Sequence, residues 1–360
     1  MTGRVLPGGV DEIRSTIAET LHRHLGPRAR EVELLDPECG RELAHRIVSF
    51  SLGGKRIRSI LLWWGWRAGG GADQGPEARA AWSAGAAIEV LQTFALVHDD
   101  VMDAAPTRRG APSVHAAHAD HHRSRLYSGE PARYGDSMAV LTGDLALAWA
   151  DDLLYGALTD LDTRNRAHRV WRDMRTEVMV GQFMDLRSQA RTERSVRAAL
   201  RTDRLKTASY TVERPLQLGA VMADAPDHVE EALVAYGRDV GVAYQLRDDL
   251  LDLYGDPDRT GREPGEDLRE GKNTVLLALG IELARESGDS AALALLEKVG
   301  AAPVDAADAA EALARVGARD LVRGDCHALA DRGAARVAAL DIDPDVREGL
   351  LDFAATAART

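Results

Sequence analysis

The strongest constraint on this chain is a short acidic phrase written twice. Asp99, Asp100 and Asp103 (DDVMD) and Asp248, Asp249 and Asp252 (DDLLD) each follow a mostly apolar run of helical character. Residues three and four apart share a helix face, so each phrase stacks three carboxylates on one turn. They repel one another and need a cation or open water beside them. For one copy alone, an acidic helix end in solvent is the simpler reading; the second copy removes it. Magnesium meets the demand, because it takes one or two carboxylates and completes its shell with substrate phosphates.

Composition narrows the fold. The 360 residues are 45% hydrophobic but only 5% aromatic, strand-like alternation is scarce, and alanine, leucine and arginine dominate. Propensity then favours helix throughout, and an all-α fold is expected. A net charge of −12 argues against nucleic acid as the main partner. Cys39 and Cys326 have neither zinc-like spacing nor a disulfide framework, and MTGRVLPGGVDE lacks a signal-peptide core. No uninterrupted apolar run approaches the ~20 residues of a membrane span. A cytoplasmic protein with one domain over 1–360 and no transmembrane segment is the expectation.

Basic residues carry a second signal. Of 45 Lys+Arg, only Lys55, Lys206, Lys272 and Lys298 are lysine, and the first three lie in distinctive stretches. In SLGGKRIRSILLWW, Gly53-Gly54 end one helix and Lys55, Arg56 and Arg58 open another. Cations there oppose the helix dipole, so a structural role is poorly motivated; with free N–H groups they make an anion site, the alternative being a solvated basic turn. The pattern predicts a helix over 10–25, a turn between Pro27 and Pro37, a long helix over 77–103 and a polar loop over 104–136. His115, His118, His121 and His122 in that loop read as a solvated loop helix rather than a metal site. Further helices are expected over 137–158, 163–185, 201–220 (kinked at Pro215) and 234–253. A charged loop then follows, a candidate lid, and helices resume from Thr274.

In their order and spacing, GGKRIR, DDVMD…RRG, GQFMD, LKTAS and GVAYQLRDDLLD…GEDLREGKNT resemble the trans-isoprenyl diphosphate synthase (polyprenyl synthetase) family over nearly the whole chain. The resemblance implies an isoprenoid synthase helical bundle around a deep central cavity, usually as a homodimer. It also implies Mg²⁺-dependent head-to-tail condensation of isopentenyl diphosphate with an allylic diphosphate. Asp99, Asp103 and Asp248 would hold Mg²⁺, with Asp100, Asp249 and Asp252 supporting. Arg108, Lys206, Lys272 and Arg262 would bind the allylic diphosphate, and Lys55, Arg58, Gln92 and Arg109 isopentenyl diphosphate. Lys206, Thr207 and Gln245 would stand near the forming cation.

Three departures from the family pattern stand out. Ser59 replaces a usual proline after GGKRIR, Gln92 a frequent histidine, and Arg262 a usual lysine. By the same resemblance, Phe94 with a small Ala95 goes with a geranylgeranyl (C20) product, farnesyl (C15) or longer chains being the alternatives. A class I terpene cyclase and a non-catalytic synthase subunit remain as rivals. Lys55, Arg58 and Arg109 argue against the first, and two intact aspartate clusters against the second.

Overall fold

The structure, a computed structural model, describes residues 9–158, 160–257 and 263–359. Their regular structure is helical except for a small antiparallel hairpin, β1 (Thr107–Arg108) and β2 (Ala111–Pro112). The all-α expectation holds. Two compact units emerge, Met1–Trp63 with Gly71–Asn165, and Trp64–Gly70 with Arg166–Thr360.

The first unit contains α1 (Val10–Leu35), α2 (Pro37–Cys39), a π-helical turn (Gly40–Ala44), α3 (His45–Ser51), the start of α4 (Ile57–Ala68), α5 (Pro76–Met102), α6 (Val114–Ser124) and α7 (Pro131–Ala157). Its spine is α5, which packs against α7, α1 and α3. Ala81, Ala84, Ala87, Ile88 and Leu91 are fully buried, and the alanines let neighbouring backbones come close. By length and composition α5 is apolar enough to cross a membrane, yet 67% of its most apolar stretch is buried in the fold.

Two expectations fail here. No turn separates Pro27 from the preceding helix; α1 runs through Pro27 to Leu35. An interior proline costs about 3 kcal/mol. Against that stands an i, i+4 stripe of Ile13, Ile17, Leu21, Leu25 and Ala29, every member buried, which keeps its face only if the helix continues. Pro27 itself points outward. Nor is 104–136 a polar loop: α6 forms within it, and His118 and His122 are buried rather than solvated.

The second unit contains most of α8 (Leu161–Ala190), α9 (Val196–Asp203), a π-helical stretch (Arg204–Glu213), α10 (Arg214–Met222) and α11 (Asp227–Tyr254). After these come α12 (Glu266–Glu270), α13 (Val275–Ser287), α14 (Ser290–Leu296), α15 (Ala306–Arg315), α16 (Ala318–Ala338) and α17 (Pro344–Ala358). Here α11 is the spine, flanked by the π-helical stretch, α16 and α17. Leu246, Leu250 and Leu253 of α11 join Leu277, Ile281, Leu296 and Leu313 in one core.

The single kinked helix expected over 201–220 is replaced by an α–π–α succession. Pro215 opens α10, where its missing N–H costs no helical bond. Glycines let the wide π turns settle between α8 and α11. A Cβ on Gly181 would fall 2.6 Å from the Lys206 nitrogen, and one on Gly241 would fall 2.6 Å from Ala208 Cα. Arg214 Nε donates to Glu177 at 2.9 Å and Ser209 donates to the same carboxylate, tying the stretch to α8.

Candidate active site

Both aspartate phrases fall at helix C-termini, Asp99 and Asp100 in the last turn of α5 with Asp103 capping it, and Asp248, Asp249 and Asp252 in the last two turns of α11. The negative end of the helix dipole disfavours carboxylates by roughly 0.3–1 kcal/mol each. Neither cluster is placed for the stability of its own helix.

In the first cluster Asp100 is fully buried while Asp99 and Asp103 are half-buried. Arg108, carried by β1, donates from Nε to Asp100 Oδ1 at 2.6 Å and from Nη2 to Asp99 Oδ2 at 3.4 Å. Burial raises the Asp100 pKa, and Arg108 opposes the rise. Asp100 Oδ2 is buried without a partner.

Arg109 turns the other way. Its φ is +56°, a left-handed conformation that swings its side chain off the line of Arg108. The guanidinium lies over the Phe50 ring, 5.0 Å from the centroid, and donates to the Phe50 carbonyl at 3.3 Å. Gly54 takes φ +96°, a conformation that favours glycine, and a Cβ on Gly53 or Gly54 would crowd the tip of Arg109 at 2.6 or 2.8 Å. Lys55 is exposed on the same loop, Arg58 is half-buried in the first turn of α4, and Gln92 of α5 carries a buried, unpartnered Oε1. Burial lowers the Arg109 pKa, Glu89 opposes, and Arg56, Arg108 and Arg58 lower it further. The unit thus holds an acidic turn and a cationic loop, served by adjacent arginines.

Glu89 went unnoticed in the sequence, although it is the only acid between Glu77 and Asp99 in an otherwise apolar helix. His98 is a second omission. Its Nε2 donates to the Val140 carbonyl at 3.1 Å, and its ring braces Phe94 edge-on with centroids 4.9 Å apart. Phe94 is buried by this contact and Ala95 half-buried.

In the second cluster the middle aspartate is again the buried one. Asp249 accepts from Gln245 Nε2 at 2.7 Å, and its Oδ2 is buried without a partner. Burial pushes its pKa well up, and Asp203, Asp267 and Asp248 push it further. Asp252 accepts from the backbone N–H groups of Glu266 and Asp267 at 3.2 and 3.3 Å, starting α12. Burial and Asp267 raise it to about 7. Asp248 is exposed, with Arg247 at 3.5 Å.

Further acids join this neighbourhood, among them Asp203 and Asp267, neither assigned a role from sequence, and Asp185 of GQFMD. Asp203 rises to about 8 through burial and the charges of Asp185 and Asp267. Lys206 Nζ donates to Asp185, the aspartate of GQFMD, at 2.7 Å. Lys272 pairs with Glu270 and, at 3.5 Å, with Asp267. Arg194 reaches the Lys272 segment by donating to Gly271 O at 3.4 Å and also donates to Val299 O at 2.6 Å, and Asn273 donates to Ser195 O at 3.2 Å. Thr207 is half-buried in the π-helical stretch, and Arg262 lies outside the described residues.

Among the described residues no three His, Cys, Asp or Glu side chains form a closed metal cage, the α6 histidines included. Open, oxygen-only donor sets with an orphaned buried carboxylate oxygen fit a hard cation that takes its remaining ligands from phosphate.

Fold and side chains together define an all-α protein with two acidic turns and a separate cationic loop. A family profile described as polyprenyl synthetase matches residues 41–315, which enclose every candidate residue named above. The chain belongs to that family. A geranylgeranyl pyrophosphate synthase from Corynebacterium glutamicum, solved with isoprenyl diphosphate and magnesium, superposes with TM-score 0.91 at 36% identity, over 97% of this chain and 99% of that one. The geranylgeranyl diphosphate synthase of Sulfolobus acidocaldarius is 34% identical over 239 residues, 66% of each chain, so the match spans just under two thirds of that relative's length. The (2E,6E)-farnesyl diphosphate synthase of Mycobacterium bovis is 30% identical over 83% of this chain and 77% of its own.

Proposed function

We propose that this protein is a Mg²⁺-dependent trans-prenyltransferase that joins isopentenyl diphosphate to an allylic diphosphate, with geranylgeranyl diphosphate as main product. The observation that carries the reading is the divergence of Arg108 and Arg109. One arginine serves the aspartates and the next serves the Gly53–Arg58 loop, so one unit offers two anion sites where a cyclase needs one diphosphate site.

Asp99, Asp103 and Asp248 would hold Mg²⁺, with Asp100, Asp249 and Asp252 supporting them. Bound Mg²⁺ neutralises the charge that develops on the leaving pyrophosphate. Arg108, Lys206 and Lys272 bind the allylic diphosphate; Lys206 exchanges its Asp185 contact for the leaving group, and Arg262 belongs to the same set. Lys55, Arg58, Gln92 and Arg109 hold isopentenyl diphosphate with its alkene towards the reacting carbon. Thr207 and Gln245 place oxygen atoms near the cation that forms, and pyrophosphate takes the final proton. A prenyl tail grows past Ala95 and stops at Phe94, which His98 holds in place.

The C. glutamicum and S. acidocaldarius relatives support the C20 product, while the M. bovis relative is named for C15. The proposal includes a single synthase domain, a homodimer and a cytoplasmic location; light scattering and cell fractionation test the last two. Incubation with Mg²⁺, isopentenyl diphosphate and C5, C10 or C15 allylic diphosphates, followed by chromatography of dephosphorylated products, tests the rest. A C20 product is expected, lengthened in Phe94→Ala and shortened in Ala95→Phe. A product that stays C15 under excess isopentenyl diphosphate rejects the chain length, and no elongation rejects the activity.

A further inference from the structure

The cationic loop is held from below by a buried network that includes Ser59. Arg56, the middle cation of Lys55, Arg56 and Arg58, does not face solvent with its neighbours. It is 5% exposed, its φ is +61°, and its guanidinium runs inward to the Ser51 carbonyl and, at 3.2 Å, to Glu89 Oε2. A left-handed arginine is strained, so this inward turn persists only where partners reward it. Glu89, 7% exposed, is the partner, and it cannot be left half-satisfied at that depth. Ser59 Oγ, fully buried, lies 2.6 Å from Glu89 Oε1 and 2.9 Å from the Gly85 carbonyl oxygen. Its single proton favours the charged acceptor, giving a short, charge-assisted bond.

With Arg56 turned inward, Lys55 before it is exposed and Arg58 after it is half-buried. One turn on from Glu89, Thr93 bonds Ser51 at 2.7 Å, closing the network onto the end of α3. Gln92 sits on the same turn of α5, and Glu89 is the acid nearest Arg109 in charge. Lys55, Arg58 and Gln92 are thus near neighbours of network residues in the sequence, and Arg109 feels the charges of Glu89 and Arg56.

We infer that Ser59 is a positioning residue for isopentenyl diphosphate, acting through Glu89 and Arg56 on Lys55, Arg58 and Arg109. The inference rests on the prenyltransferase reading. A proline at 59, in the first turn of α4, leaves the helix ladder intact but supplies no proton, so Ser59→Pro removes the bond as Ser59→Ala does. Ser59→Thr keeps the hydroxyl.

Steady-state kinetics with Mg²⁺, varying each diphosphate in turn, tests it. In Ser59→Ala and Ser59→Pro the KM for isopentenyl diphosphate should rise about tenfold, the size of one hydrogen bond to a charged group. The allylic KM and kcat should stay within about twofold. Ser59→Thr should recover the native KM. An unchanged KM in both deletions, a parallel change in both KM values and kcat, or failure of threonine to restore would overturn the inference. A native protein without prenyl transfer would reject the functional reading instead. Calorimetric binding of inorganic pyrophosphate then decides the inference alone: weakening in Ser59→Ala with recovery in Ser59→Thr upholds it, and equal affinities refute it.

Discussion

The two aspartate turns share the spacing of their acids and a place near the end of a helix, yet their surroundings differ. Asp100 is buried against a resident cation, Arg108, whereas Asp249 is buried against a neutral amide, Gln245. The first turn has a guanidinium bonded to two of its three aspartates within its own unit. The second gathers charge: Asp203 and Asp267 both act on Asp249, and Asp267 also raises Asp252. The same aspartate spacing thus makes unequal demands, depending on what the rest of the chain brings beside the middle residue, and the second turn has more to gain from a divalent cation.

The largest expected effect tests whether the clusters are functionally equal despite this. Asp99→Ala and Asp248→Ala should each slow prenyl transfer at saturating Mg²⁺ by about a hundredfold or more, because each removes a group acting on the leaving charge. A variant near the native rate would remove its cluster from the reaction.

A stability measurement separates the two middle aspartates. Arg108→Gln strands the fully buried Asp100 without its cation and should cost about 3 kcal/mol in denaturant unfolding. Gln245→Ala removes one neutral donor from Asp249 and should cost about 1 kcal/mol. Equal losses would erase the distinction drawn here.

The smallest effect is a pH dependence. Asp252 is held near 7 in the fold, above its unfolded value of about 4, so between those values the folded chain keeps a proton that the unfolded chain has lost. Stability without metal should therefore fall as pH rises from about 4 through 7. Mg²⁺ competes with that proton, so its upward shift of the melting temperature should be larger at pH 8 than at pH 6. Asp252→Asn should flatten the difference. A shift independent of pH in the native protein would remove proton competition from the second cluster.

How far the site could be read depends on what each residue needed to reveal itself. Asp99, Asp248, Arg109 and Lys206 stand in local phrases whose chemistry survives translation into text. Glu89 does not, because one acid in an alanine-rich helix acquires meaning only when Arg56 and Ser59 arrive from residues 30 or more positions away. Asp203 and Asp267 likewise belong to no phrase with Asp249, and only packing adds their charges to it. The helix carrying the histidines also reads as solvated in the sequence, whereas His118 and His122 are buried and α6 packs against α7.

By itself the sequence determined the helical class, the two acidic turns at helix ends, the cationic loop and the family. These follow from periodicity, propensity and short-range spacing, which a chain carries before it folds. Tertiary structure alone decided that α1 passes through Pro27, since only burial of Ala29 with Leu25 outweighs the proline. It decided that residues 204–213 wind as a π-helix, because glycines on two other helices make room for it. And it decided that Arg56 turns inward while Lys55 stays out, since a buried carboxylate rewards a backbone angle that no local preference would choose.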